Sequence, residues 1–151
     1  MLKGIDPLLT PELLKLLAEM GHDDALVLAD ANFTAMSLGV GKPVLRLPGV
    51  DMVRALQAVT SLLPLAEDVP QPVAYMQVSG TPEGYRSALQ REAADQLAAS
   101  AGVRSDQIEA VERFAFYERV KKAYAIVVTG ETQPFGNFIL RKGVIGAALR
   151  P

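Results

Sequence analysis

The chain has 151 residues, enough for one domain with its own core; half are hydrophobic and 21% are charged, which excludes a disordered chain. Its formal net charge is −2, and no Lys/Arg run stands out to serve nucleic acid or an anionic membrane. It has no cysteine, so disulfides and thiolate metal sites are excluded.

The opening Met1-Leu2-Lys3-Gly4-Ile5-Asp6-Pro7 has no signal-peptide pattern, and the apolar runs fall short of a bilayer span. A cytoplasmic protein with no membrane partner is expected. The Ala-, Leu- and Val-dominated composition is more apolar than one small core needs. That points to a partner subunit covering part of the surface.

In chain order, Thr10-Pro11-Glu12 predicts a helix start, with Thr10 as cap, Pro11 in the first turn and Glu12 favouring the dipole. Leu13, Leu16, Leu17 and Met20 form one buried stripe, and Gly21 stops the helix. Ala25 to Ala29 is a continuous apolar run that reads as a buried parallel strand. Residues 31–42 read as a loop, and Pro43 to Leu47 as a second strand. Asp51 caps a helix carrying Met52, Leu56, Val59 and Leu63, which Pro64 ends.

After a Pro-rich connection from Glu67 to Pro72, Val73 to Val78 reads as the third strand. Thr81-Pro82-Glu83 repeats the Thr-Pro-Glu opening and predicts a helix through Tyr85, Leu89 and Leu97 to about Ala99, broken by Gly102. Ile108 to Phe114 reads as a strand, Phe116 to Ala123 as a short charged helix, and Tyr124 to Val128 as an apolar strand. A loop from Thr129 to Asn137 leads to a last strand at Phe138 to Leu140. Strands alternating with helices at this spacing predict a single α/β domain over residues 1–151, a mainly parallel sheet flanked by helices.

Four places could carry chemistry. His22, the only histidine, follows the first helix in Gly21-His22-Asp23-Asp24. A histidine gives or takes a proton near neutral pH, yet a surface polar residue after a helix explains it equally well. His-Asp-Asp offers metal donors, but consecutive residues rarely converge on one ion and there is no second histidine; no metal is expected. Asp30 directly follows the first strand, where open α/β sheets bind ligands, and if the helix end and the strand end line one crevice, His22 and Asp30 approach the same small ligand. Asp30 could equally cap its own loop, and Asn32 could do the same or bind a hydroxyl.

Arg113, placed at a strand end, can hold ligand oxygens, whereas Arg119 on the helix is a solvated partner for a glutamate. Phe114, Phe116 and Tyr117 read as core. Phe135-Gly136-Asn137 offers a glycine that admits close backbone approach and an amide that both donates and accepts; an ordinary turn accounts for the pair as well. No Walker loop, dinucleotide glycine fingerprint or nucleophile elbow is present, which leaves phosphoryl transfer, nicotinamide redox chemistry and serine hydrolysis unsupported.

As an ordered set, Pro11-Glu12-Leu13-Leu14, Ala18-Glu19-Met20-Gly21-His22-Asp23-Asp24, Ala29-Asp30-Ala31-Asn32-Phe33, Arg113 to Arg119, Thr129-Gly130-Glu131 and Gly136-Asn137 resemble the fucose mutarotase and ribose pyranase family. The resemblance runs from about Leu2 to Gly143 and is closer to the L-fucose mutarotase branch through Met20-Gly21-His22 and the Arg113 to Arg119 run. It implies an α/β subunit in a ring-shaped homodecamer of two stacked pentamers, with sites near subunit contacts. The activity implied is on the anomeric carbon of free monosaccharides, without a cofactor.

By this likeness His22 is the general acid/base, while Asp30, Asn32, Arg113 and the Phe135-Gly136-Asn137 segment bind the sugar. The family's Tyr-Gly-Asn is here Phe135-Gly136-Asn137, so one hydroxyl is missing, and Asn32 stands where some relatives carry histidine. Two other readings stay open: a D-ribose pyranase, and a sugar-binding, transport-associated module without turnover.

Overall fold

In the computed structural model, residues 1–146 and 149 are described; the end of the expected 1–151 domain lies outside them. Six strands form one sheet in the order β2-β5-β1-β6-β3-β4: β1 (Ala25–Ala29), β2 (Val44–Leu47), β3 (Val73–Met76), β4 (Ile108–Val111), β5 (Ala125–Thr129) and β6 (Phe138–Arg141). The pairs β1–β5, β2–β5 and β3–β4 are parallel, whereas β6 lies antiparallel between β1 and β3. β1 to β5 therefore all point one way, and their carboxyl ends share one edge with the start of β6. The sheet is mainly parallel and flanked by helices, as the sequence predicts.

Period-two alternation divides the core. Leu26, Leu28, Val73, Tyr75, Val127 and Leu140 pack on one face. The buried stripes of α1 (Pro11–Glu19), α3 (Met52–Thr60) and α4 (Ala88–Ala101) join that cluster. Val27, Ala29, Met76, Ile126 and Ile139 pack on the other face against α2 (Ala35–Leu38) and α5 (Arg113–Lys122). Because helices cover both faces, β1 and β5 read as unbroken apolar runs rather than as alternating ones.

Four expectations shift. The segment expected as a loop over 31–42 contains the single turn α2. Helix α4 starts at Ala88 rather than after Thr81-Pro82-Glu83. Those residues form a turn in which Tyr85 N–H donates to the Pro82 carbonyl, Gly84 follows at φ +79°, and Tyr85 is left exposed. Ser87 and Gln90 supply a reciprocal capping box, which satisfies two backbone donors where Thr81 would satisfy one.

β4 ends at Val111, two residues before Arg113. The Glu112 carboxylate accepts from the Phe114 and Ala115 N–H groups at 2.8 and 3.1 Å and starts α5 there. Arg113 is thus the first helical residue, not a strand-end residue. Of the aromatics expected in the core, Phe116 is fully buried, Tyr117 is half-buried and Phe114 is 61% exposed. Helical spacing turns Phe114 outward once the helix begins at Arg113.

Candidate functional site at the edges of the sheet

Asp30 leaves β1 at the carboxyl edge and is only 4% exposed. Its backbone N–H donates to Asn137 Oδ1 at 2.9 Å, and Asn137 Nδ2 donates back to Asp30 Oδ2 at 2.9 Å. Asn32 N–H donates to Asp30 Oδ1 at 3.0 Å. Burial pushes the Asp30 pKa up from its ordinary value, with Glu131 adding to the rise; the donors from Asn32, Asn137 and Gly136 pull the other way. The result is a desolvated carboxylate locked in one orientation by groups 107 residues away in sequence.

The turn that presents Asn137 is tight. Phe135 sits at φ +61°, a left-handed conformation that is uncommon for a bulky residue. At Gly136 a Cβ would meet Leu89 Cδ2 at 2.9 Å, Glu131 Cγ at 3.1 Å and the Gln133 carbonyl at 3.2 Å. A side chain there would crowd Leu89 of α4, Glu131 and the Gln133 carbonyl. Glu131, also buried, accepts from the Gln133 N–H at 2.8 Å and holds the loop over the start of α3.

Arg113 occupies the same edge, but β4 is three strands from β1, about 14 Å at the usual strand spacing. A row of aromatic contacts bridges that gap: the Arg113 guanidinium lies 4.5 Å from the Phe114 ring centre, Phe114 lies 6.1 Å from Tyr117, and Tyr117 lies 5.8 Å from Phe33. Arg113 Nε is buried without a hydrogen-bond partner, a donor left free within this row.

His22 lies at the other edge. It precedes β1 as Asp30 follows it, and the five residues between them as strand span about 16 Å. Its Nε2 is 3.0 Å from Asp68 Oδ2, and both side chains are roughly half exposed. The hydrogen bond from His22 holds the Asp68 carboxyl below its ordinary range. Beside them a groove of about 500 Å³ is lined by Asp23, Asp24, Glu109, Arg119, Lys122 and Arg141. Arg119 is engaged by Glu109 through two bonds of 2.7 Å, and Arg141 Nε by Asp23 at 2.7 Å.

The fold therefore brings Asp30, Asn32, Phe135, Gly136 and Asn137 into one cluster. Arg113 stands on the same edge at a distance, and His22 is on the opposite edge. Sequence reasoning missed Glu131, Gln90 and Asp68. Glu131 follows an apolar strand as Asp30 does, and Ser87-Ala88-Leu89-Gln90 is a legible capping box; Asp68, in a proline-rich connection, carries no signal. Among the described residues no group of three or more His, Cys, Asp or Glu is placed to hold a metal ion, and no helix is long and apolar enough to cross a membrane.

The model of the RbsD / FucU transport protein family matches residues 3–145. The chain is 46% identical to the L-fucose mutarotase of Glaesserella parasuis serovar 5 (strain SH0165), over 95% of this chain and 96% of that one. It is 46% identical to the fucose mutarotase of Homo sapiens, over 99% and 97%. Its fold is similar to the crystal structure of the fucose mutarotase in complex with L-fucose from Streptococcus pneumoniae, with a TM-score of 0.86 and 39% identity over 96% of this chain and all of that one.

Proposed function

The chain belongs to the RbsD/FucU family, and from that premise we propose that it is an isomerase that interconverts the α and β anomers of L-fucose or a similar free sugar. The anomeric hydroxyl gives up its proton, the ring oxygen takes one, and the bond from the anomeric carbon to the ring oxygen breaks to leave an open-chain aldehyde. Rotation of the aldehyde and closure on its other face restores the ring with the protons returned. Nothing is oxidised or consumed, so the reaction asks only for positioned proton donors and acceptors, typically worth ~10²–10⁴-fold.

In this reading His22 moves the proton, while Asp30, Asn137 and Arg113 hold hydroxyls and Asn32, Phe135 and Gly136 complete the binding wall. The observation that carries it is the buried Asp30–Asn137 couple, aligned before any ligand arrives and placed where α/β sheets bind small molecules. Phe135, lacking a hydroxyl, contributes ring surface rather than a hydrogen bond.

Because His22 and Asp30 stand at opposite edges of one sheet, one chain cannot apply both to one sugar. The site is completed between copies, the His22 edge of one facing the Asp30 edge of another in a homo-oligomeric ring, a decamer by family likeness. A cytoplasmic location is part of the same proposal, supported by the absence of cysteine and of a membrane-spanning helix among the described residues.

Exchange NMR on the L-fucose anomers tests the reading, with D-ribose and D-galactose alongside. Anomer exchange well above the buffer blank is expected for L-fucose. Binding measured by calorimetry with no acceleration of any sugar would instead leave a binding module, and acceleration of pyranose–furanose exchange in D-ribose alone would make it a pyranase.

A further inference from the structure

Gln90 is a long polar side chain held at 1% exposure on the third residue of α4. Its Oε1 accepts from the Ser87 N–H at 3.0 Å, which completes the capping box. That half of the amide is ordinary, because a glutamate would cap as well. The other half is not. Nε2 donates to the Met76 carbonyl at 2.9 Å and to the Phe135 carbonyl at 3.0 Å, spending both of its hydrogens on two strands' loops at the carboxyl edge. Only an amide can do both jobs, since a carboxylate would set an oxygen against two carbonyl oxygens.

The Phe135 carbonyl belongs to the same peptide unit as the Gly136 N–H. In a trans peptide the two point in opposite directions. Anchoring the carbonyl on Gln90 therefore turns the N–H toward the Asp30 carboxylate, whose charged form it favours. Met76, held by the second hydrogen, in turn takes part in fixing Asn137: its N–H donates to the Asn137 carbonyl at 3.0 Å, and its sulfur lies 3.8 Å from Asn137 Nδ2. Phe135, left-handed at φ +61°, needs such an external hold.

We infer that Gln90 is the positioning residue of the proposed sugar site, orienting the Phe135–Gly136 peptide and Asn137 onto Asp30 through its side-chain amide rather than through its capping bond. The inference rests on the mutarotase reading for its catalytic consequence. Its geometric content, that Gln90 sets the donors on Asp30, stands independently.

The experiment separates the two halves of the amide. Gln90→Glu keeps the cap and removes both donors, Gln90→Met removes everything, and Ser87→Ala weakens the cap while leaving both donors. Exchange NMR on L-fucose is expected to show kcat/KM lowered by ~10- to 10²-fold in both Gln90 variants, the scale of a misplacement of about 1 Å, and close to wild type in Ser87→Ala. A ¹³C titration of the Asp30 carboxyl, which needs no activity, is expected to move its midpoint upward in Gln90→Met and not in Ser87→Ala, as donors slip away.

If Gln90→Met and Ser87→Ala lower exchange equally, or if the Asp30 midpoint is the same in Gln90→Met as in wild type, the inference is overturned. If the wild-type chain accelerates no sugar, the mutarotase reading fails, and the Asp30 titration alone decides the role of Gln90. Should Gln90→Glu fail to fold, Gln90→Met carries the comparison.

Discussion

At the carboxyl edge of the sheet Asp30 and Asn137 are 4% and 2% exposed and bonded to each other through both backbone and side chain, whereas at the amino edge His22 and Asp68 are 47% and 59% exposed and share one contact. The first edge is held by the folding of the chain itself. Its groups have little conformational entropy left to lose when a ligand binds. The second is polar and solvated, and an exposed contact of this kind adds little to stability. Under the proposed function the first edge is a preorganised binding half and the second a proton-carrying half, and the two become one site only when copies meet.

The contrast predicts opposite behaviour for substitutions at the two edges. His22→Gln should abolish the proposed acid–base contribution, a loss of ~10²–10⁴-fold in L-fucose anomer exchange. In thermal unfolding its Tm should stay within about 2 °C of wild type. An equally large fall in Tm would mean that His22 is part of the scaffold, and the contrast would break. Asn137→Ala should do both kinds of damage. It leaves the Asp30 N–H and carboxylate short of partners inside the fold, at a cost of about 1–3 kcal/mol, alongside weakened sugar binding read by calorimetry.

The pH dependence of stability sharpens the comparison further. The folded chain raises the Asp30 pKa above its ordinary 3.8, so it holds that proton more tightly than the unfolded chain does. The stabilisation is complete below about pH 3.8 and is lost as pH rises through the folded pKa. Measured by thermal unfolding from acid to neutral pH, Asp30→Asn should therefore gain stability relative to wild type as pH rises; a parallel pair of curves would contradict the burial argument. Asp68→Asn should have the smallest effect, a Tm change under about 2 °C and a modest fall in exchange rate, because the solvated pair orients His22 without holding the fold together.

Much of the frame was legible because its causes are local. The apolar runs of β1 and β5, the Thr10 and Asp51 caps and the stripe of α1 all act within a few residues of where they are written. The start of α4 was misread because Thr-Pro-Glu and Ser-x-x-Gln compete for it, and the reciprocal bond of the second decides the matter only once Gln90 is buried. Asp30 and Asn137 could each be picked as candidates from strand ends and turn chemistry. Their partnership could not, since it depends on β6 inserting beside β1 across more than a hundred positions. The expectation that His22 and Asp30 approach one small ligand fails within a single chain, because the extended strand between them sets them at opposite edges. Asp68 depends on where a proline-rich connection happens to pass.

β6 gives both edges a common ruler. Its first residue follows Asn137 and its last is Arg141, which grips Asp23, so four residues measure the depth of the sheet from the Asp30 contact to the neighbourhood of His22. Slipping that strand by one position would turn every side chain to the opposite face and unseat both grips at once. Drift in the alignment of one edge cannot occur without the other, and the assembly proposed above would inherit a fixed gauge between the two halves of its site.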